Sequence, residues 1–216
     1  MTSALVIGAG IVGTSCALFL QRGGWEVTLV DPLPPGAGTS SGNAGIISLG
    51  SVTPVATPGI LREVPGLLLD PEGPLSLRWR YLPRLLPWLA RFALASRRAE
   101  ALSDALAPLL ARATQAHDLV IQQCGLADLV RPGGWLKVAR SEAALLEGTA
   151  FCRRVMDRAG IGYEILDAPA VRRLEPALAP DLVAGLLLPR NRAVRHPQRY
   201  VEGIARTVLE RGGRWL

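Results

Sequence analysis

The first thirty residues alternate between two hydrophobic periods. Ala4–Ile7 is a short continuous apolar run that stops at Gly8, as expected of a buried strand in a parallel sheet. Ile11–Arg22 then reads as a helix, with Ile11, Ala17, Leu18 and Leu20 among its apolar positions, and Gly23-Gly24 stops it. Glu26–Val30 is a second strand, rich in β-branched residues, and Asp31 ends it. Strand, helix and strand in so short a span predict a βαβ unit.

The pattern then changes. Residues 32–59 are rich in Gly, Pro, Ser and Thr without clear periodicity, and a loop of that length inside a domain is usually functional or disordered. Segments containing Pro and Trp occupy 61–96. A longer helix is predicted over 99–123, kinked or interrupted at Pro108. Residues 128–139 look like a hairpin turning at Pro132-Gly133-Gly134. Helices over 142–159 and 168–175, a strand over 183–188, a helix over 197–210 and a strand starting at Arg214 complete the reading. The sequence stops at Leu216, three residues past Gly212-Gly213 and inside that last strand, so a truncated chain is expected. No internal repeat interrupts this order, and the fold class it predicts is α/β.

Composition removes several functions. Apolar residues make up 49% of the 216, enough to bury a core, and the formal charge is +6. That charge invites nucleic-acid binding, yet only Lys137 is lysine and the arginines are scattered rather than interleaved with aromatics in a basic stripe. The net positive charge therefore reads as a compositional bias toward arginine, and no nucleic-acid partner is expected. Cys16, Cys124 and Cys152 lie far apart with no CxxC, which argues against a disulfide framework and against a zinc site. No metal-ligand cluster and no G-x-S-x-G elbow is present. The N-terminus lacks the charged region of a signal peptide, and no apolar run reaches bilayer-spanning length. A soluble, cytoplasmic protein is the expectation.

The chemistry-bearing motif is Gly8-Ala9-Gly10-Ile11-Val12-Gly13, a G-x-G-x-x-G between predicted strand and helix. The three glycines meet different needs. Gly8 allows the tight turn, Gly10 the close approach of backbone to a pyrophosphate, and Gly13 the close packing of helix on sheet. The helix N-terminus adds unpaired N–H groups and partial positive charge. Asp31, at the end of the second strand, can accept hydrogen bonds from ribose hydroxyls and would repel a 2′-phosphate, which disfavours NADP. The turn alone does not separate FAD from NAD. The following segment, Gly38-Thr39-Ser40-Ser41-Gly42-Asn43-Ala44-Gly45-Ile46-Ile47-Ser48, offers hydroxyls and close backbone approach to an extended ligand.

With that loop the sequence resembles the D-amino-acid oxidase superfamily of flavoproteins, in its bacterial D-amino-acid dehydrogenase type. The resemblance rests on VIGAGIVG at 6–13, VTLVD at 27–31 and TSSGNAGIIS at 39–48, and more loosely on GGWLKVARSE at 133–142 and LEPAL at 174–178. It implies a Rossmann-like FAD-binding domain whose first part is 1–53, an inserted α+β substrate domain over 54–189, and a return to the FAD domain over 190–216. It also implies that Gly8, Gly10, Ile11, Val12 and Gly13 cradle the FAD pyrophosphate and that Asp31 holds the adenosine ribose. Thr39, Ser40, Asn43, Ala44, Gly45 and Ile46 would line the path toward the isoalloxazine. The implied activity is oxidation of the CH–NH bond of a small amino acid, of D configuration, to an imino acid and then an oxo acid. An NAD-dependent dehydrogenase and a truncated, non-catalytic fragment are the two rival readings. No catalytic residue is nominated, and the family's second FAD-contacting segment would lie past Leu216.

Three further features are weighed. His117, on the long helix, is expected to be a packed or surface residue, and His196, just before Pro197, part of a helix-entry turn. Residues 78–92, basic and aromatic, could lie in a membrane interface, suiting a peripheral contact on the inner face of the membrane. The competing expectation, favoured on composition, is an amphipathic segment packed inside the substrate domain.

Overall fold

The computed structural model describes residues 2–70 and 75–216. The apolar run at its start forms β1 (Ser3–Ile7), followed by α1 (Ile11–Arg22) and β2 (Glu26–Val30). β1 and β2 pair in parallel with Ala4 opposite Val27 and Val6 opposite Leu29, and β9 (Arg214–Trp215) joins the far side of β2, also in parallel. The strand expected to start at Arg214 thus rejoins the first sheet, in the order β1-β2-β9.

The chain divides into two compact units. One comprises Met1–Ser48, Arg112–Trp135 and Pro189–Leu216; the other comprises Leu49–Ala111 and Leu136–Leu188. The first takes in Arg112–Trp135, from the middle of the segment 54–189. Its core explains why. Ala17 and Leu18 of α1, Leu29 of β2, Val120 of α4 (Ala99–Cys124), Leu126, and Ile204 of α7 (Pro197–Glu210) form one buried cluster. Val27 and Leu29 face this cluster, whereas Leu5 and Ile7 on the opposite face of β1 are 62% and 83% exposed. The first sheet is therefore covered on one face by α1 and α7. Its other face and the β1 edge carry apolar side chains into the open.

Two expectations are corrected. The hairpin over 128–139 does not form. β4 (Val130–Pro132) pairs antiparallel with β8 (Arg192–Val194), which also pairs antiparallel with β3 (Ile46–Ile47). β5 (Trp135–Ala139) instead joins a second sheet in the order β5-β7-β6, with β6 at Glu164–Leu166 and β7 at Ala184–Leu188. Pro132 has no N–H to continue a ladder, and Gly134, at φ +69°, turns its N–H to the Asn191 carbonyl at 3.0 Å. The glycines thus redirect the chain between sheets rather than folding it back. The second correction is that Pro108 does not interrupt α4, which runs unbroken from Ala99 to Cys124. A proline removes one helical hydrogen bond, and the tertiary packing of a long helix can absorb that loss.

In the second unit, α2 (Ile60–Leu69), α3 (Leu82–Ser96), α5 (Glu142–Arg158) and α6 (Ala168–Leu174) accompany the second sheet. Ser141 caps α5 by accepting from the Ala144 N–H at 3.1 Å, and Asp167 caps α6 by accepting from the Ala170 N–H at 2.9 Å. Val52, Leu145, Val155, Met156 and Leu186 form this unit's core.

Ile204 is fully buried where α7 meets the first sheet's covered face. Ile204→Ala is expected to lower the stability of that unit by about 2–5 kcal/mol through lost apolar contact and the cavity left behind. Urea unfolding followed by circular dichroism measures the change.

Candidate functional site

The glycine turn lies between β1 and α1 as its spacing predicts, and each glycine meets a distinct constraint. Gly8 has φ +104° and donates its N–H to the Val30 carbonyl at 2.7 Å, tying the turn to β2. At Gly13 a Cβ would fall 1.8 Å from the Gly8 carbonyl oxygen, so no side chain fits where α1 crosses the turn. At Gly10 a Cβ would lie 3.3 Å from Ser40 Oγ. Gly10 has no side chain to cap the helix, and Ser40 supplies the cap from the following loop: its Oγ accepts the Ile11 N–H at 3.1 Å. In α1 the N–H groups of Val12 and Gly13 have no preceding turn of carbonyls to bind, and they point with the positive end of the helix dipole.

Asp31 does more than its place in the sequence suggests. Its Oδ2 accepts the Ala9 N–H at 2.8 Å and its Oδ1 accepts the Leu33 N–H at 2.9 Å. These two backbone hydrogen bonds, Ala9 first, hold its carboxyl below the usual carboxylate range. The carboxylate therefore braces the glycine turn and the start of the next loop. Each oxygen retains a lone pair for a further donor.

The loop from Thr39 to Ile46 is built by Asn43 and Gly45. Asn43 Nδ2 donates to the Ser40 carbonyl at 3.0 Å, and its Oδ1 accepts the Gly45 N–H at 2.7 Å, so both ends of the amide fold the loop on itself. Gly45, at φ +63°, approaches β8 so closely that a Cβ would lie 2.5 Å from the Val194 carbonyl oxygen. Its own carbonyl accepts the Val194 N–H at 2.7 Å. Ser40 is buried, whereas Thr39, Asn43, Ala44 and Ile46 are exposed along the loop, and Val12 is exposed on the first turn of α1. Turn and loop enclose an open groove of about 590 Å³ lined by Gly8, Gly10, Val12, Gly13, Thr39 and Ser40. Of the twelve residues singled out from sequence, Asp31, Ala44, Gly45 and Ile46 do not line it; Asp31 braces it from behind through Ala9.

A second, smaller cavity of about 250 Å³ adjoins the first, sharing Ile11 and Asn43 with it. Its walls are mostly apolar, but His117 and Tyr200 meet there, with Nδ1 3.1 Å from the Tyr200 hydroxyl. Burial, reinforced by the Arg192 guanidinium, pushes His117 below the usual imidazole range, while Asp118 offsets part of that. Burial pushes the Tyr200 hydroxyl up. Arg192 is itself paired with Asp118 at 2.6 Å. Both groups are thus neutral at pH 7, and one of them donates to the other, the direction following the imidazole tautomer. Sequence reading treats His117 as a packed or surface residue and does not single out Tyr200. The partners are 83 positions apart, and only the helical register of α4 and α7 could have suggested their meeting. His196 sits at the N-cap of α7, as expected of a helix-entry residue, and makes no side-chain cap bond.

Comparison with known proteins adds an independent line. The family model described as "FAD dependent oxidoreductase" (DAO) matches residues 3–216. A D-amino-acid oxidase of Bradyrhizobium diazoefficiens is 36% identical over 214 residues, covering 97% of this chain and 50% of that protein. A D-amino acid dehydrogenase of Methylobacterium sp. is 35% identical over 219 residues, covering 98% and 51%. The chain therefore spans about half the length of the curated relatives it matches. Among solved structures, glycine oxidase from Bacillus cereus aligns with a TM-score of 0.58 at 18% identity over 99% of this chain and 45% of its own. L-Proline dehydrogenase from P. horikoshii aligns with a TM-score of 0.61 at 15% identity over 100% and 43%. These last two likenesses speak to the fold.

The His117–Tyr200 pair predicts a pH dependence. Because the folded-state pKa of His117 lies below its unfolded value of about 6.5, the unfolded chain binds the extra proton first. Stability from this group is complete above that value and is lost as pH falls through the folded pKa. The lowered pKa values of Asp31 and Asp181 act only below about 3.8, outside this window. Melting temperature should fall between pH 7 and pH 5, and less steeply in His117→Gln.

Proposed function

Since the chain belongs to the DAO family of FAD-dependent oxidoreductases, we propose that its glycine turn and the loop after β2 hold FAD. Gly8, Gly10, Ile11, Val12 and Gly13 receive the pyrophosphate, and the ribose hydroxyls donate to the remaining lone pairs of Asp31. Thr39, Ser40, Asn43, Ala44, Gly45 and Ile46 form the path followed by the rest of the cofactor. The membership also favours FAD over NAD for a turn that both dinucleotides can use.

The observation that carries this reading is the open groove of about 590 Å³ at the start of α1. Its floor is formed at Gly13, where no side chain fits, and at Gly10, where one would press on Ser40 Oγ, and first-turn N–H groups open toward it. A phosphate needs that combination of close backbone approach, unpaired donors and positive helix potential. Ser40 Oγ closes one of those N–H positions, which leaves Val12 and Gly13 as the donors facing an anion. When bound, FAD supplies the electron acceptor for oxidising a CH–NH bond to an imine, which water hydrolyses to an oxo acid and ammonia. The residues of this half bind and orient: Asp31 fixes the turn, Asn43 fixes the loop, and Gly45 anchors that loop on β8.

The substrate of the family-length protein is, on this reading, a small amino acid, and its D configuration is supported by the names of the Bradyrhizobium and Methylobacterium relatives. The sequence offers 54–189 as the substrate-domain segment, with 1–53 and 190–216 as parts of the FAD domain.

Gly10→Val is expected to abolish FAD binding while leaving the fold intact, because a branched side chain would occupy the pyrophosphate's approach. Quenching of FAD fluorescence on titration with each protein measures it, and equal quenching by both would sink the assignment of the turn. For the chemistry, a family-length protein carrying this half should reduce a dye acceptor with D-alanine faster than with L-alanine. The reverse order would overturn the stereochemical reading.

A further inference from the structure

His117 and Tyr200 take no part in the proposed cofactor contacts, yet they stand beside the loop that makes them. Tyr200 is buried on the first turn of α7, and its hydroxyl lies 3.1 Å from His117 Nδ1 on α4. The next residue of α4, Asp118, pairs with Arg192 of β8 at 2.6 Å. The other arm of that guanidinium donates to the Thr114 carbonyl, also on α4, at 3.4 Å. Through neighbouring residues, α4 is therefore fastened both to α7 and to β8.

β8 and the start of α7 form the seat of the loop after β2. Ile46 and Ile47 pair with Ala193 and Arg192. The Gly45 carbonyl accepts the Val194 N–H at 2.7 Å. A Cβ at Gly45 would meet the Val194 carbonyl oxygen at 2.5 Å and Pro197 Cγ at 3.1 Å, so the loop has no slack on that side. A shift of β8 or of the start of α7 must carry Gly45 with it or open the seat.

The cavity of about 250 Å³ is lined by this loop, through Asn43, Gly45 and Ile47, and by the His117–Tyr200 pair. Close packing fixes the spacing of side chains, and a cavity is where close packing is missing. Directional contacts take over that task here. A pair needed only to satisfy two buried polar groups could sit anywhere in the core. This one sits where α4, α7 and the loop meet around a gap.

Resting on the reading of the groove as a FAD site, we infer that His117 and Tyr200 act as one positioning unit for it. Their hydrogen bond holds α4 against α7 and keeps residues 43–47 at the spacing that bound FAD requires. Neither residue touches the cofactor; both act through the seat of Gly45 on β8 and α7.

Three substitutions test the unit. Tyr200→Phe removes only the hydroxyl, His117→Ala removes the imidazole, and His117→Asn restores a polar atom near the place of Nδ1. Quenching of FAD fluorescence, measured well below each variant's melting temperature, gives the dissociation constants. They should rise by up to about ten-fold in Tyr200→Phe and His117→Ala, the effect of one lost hydrogen bond, and return toward the original value in His117→Asn. Combining Tyr200→Phe with His117→Ala should bind no worse than the weaker single variant. Hydrogen exchange of the Gly45 and Val194 amides without FAD should quicken in both weakened variants, while the amides of β1 and β2 hold. Variants that keep the original dissociation constant, whatever their melting temperature, overturn the inference and leave the cofactor site standing. So do variants whose affinity falls with no change in exchange, because the effect then does not pass through the loop. Additive losses in the combined variant, or His117→Asn as weak as His117→Ala, also overturn it. An unsubstituted chain that leaves FAD fluorescence unchanged rejects the cofactor reading itself, and the positioning role with it.

Discussion

The geometry of the glycine turn depends on hydrogen bonds that reach it from outside. Asp31, at the end of β2, accepts the Ala9 N–H, and the Ala9 carbonyl in turn accepts the Gly36 N–H at 2.9 Å. Ser40 completes the sequence of contacts by accepting the Ile11 N–H. The chain from β2 to Ser40 is thereby laid against the turn. A glycine-rich turn without such bracing would sample many conformations, since glycine loses more backbone entropy on ordering than other residues do. The bracing converts permissive residues into a fixed cradle, and the proposed FAD site rests on it.

This arrangement gives single side chains two roles. Asp31 holds the turn and, in the proposed site, also receives ribose hydroxyls, so its loss would disturb the cradle as well as that contact. Asn43 closes the loop with both ends of its amide, which keeps that loop in place with its neighbours exposed toward the groove. Gly45 lets the loop dock on β8. β8 leads directly to α7, whose Tyr200 meets His117 of α4 in the adjoining cavity. The candidate cofactor path and the buried pair are thus supported by the same core.

How much of this is legible in the sequence follows from the range of each interaction. β1, α1 and β2, with the glycine spacing between them, are specified by residues a few positions apart, and the structure reproduces them. The loop after β2 is recognisable as a candidate ligand-facing segment from its Thr-Ser-x-x-Asn-Ala-Gly pattern. The internal bonding of Asn43 and the capping by Ser40 are not, because they depend on where the loop folds back. The Gly133-Gly134 turn misleads for the same reason: the local signal is that of a hairpin, while the strand partners are decided by distant β7 and β8. Pro108 carries a true local cost that long-range packing outweighs. Exposure of Trp79 and Trp88, 69% and 56% in a segment expected to pack, has no sequence signal, since an amphipathic stripe is identical whether or not a core covers its apolar side.

The central claim is that the braced turn is a FAD cradle, and thermal unfolding of the chain in increasing FAD, with NAD in parallel, tests it most directly. A ligand that binds only the folded state adds about 2.7 kcal/mol at a hundred times its dissociation constant, so the melting temperature should climb steadily with FAD and not with NAD. A melting temperature that ignores FAD up to millimolar concentration, or that rises with NAD instead, would contradict the account.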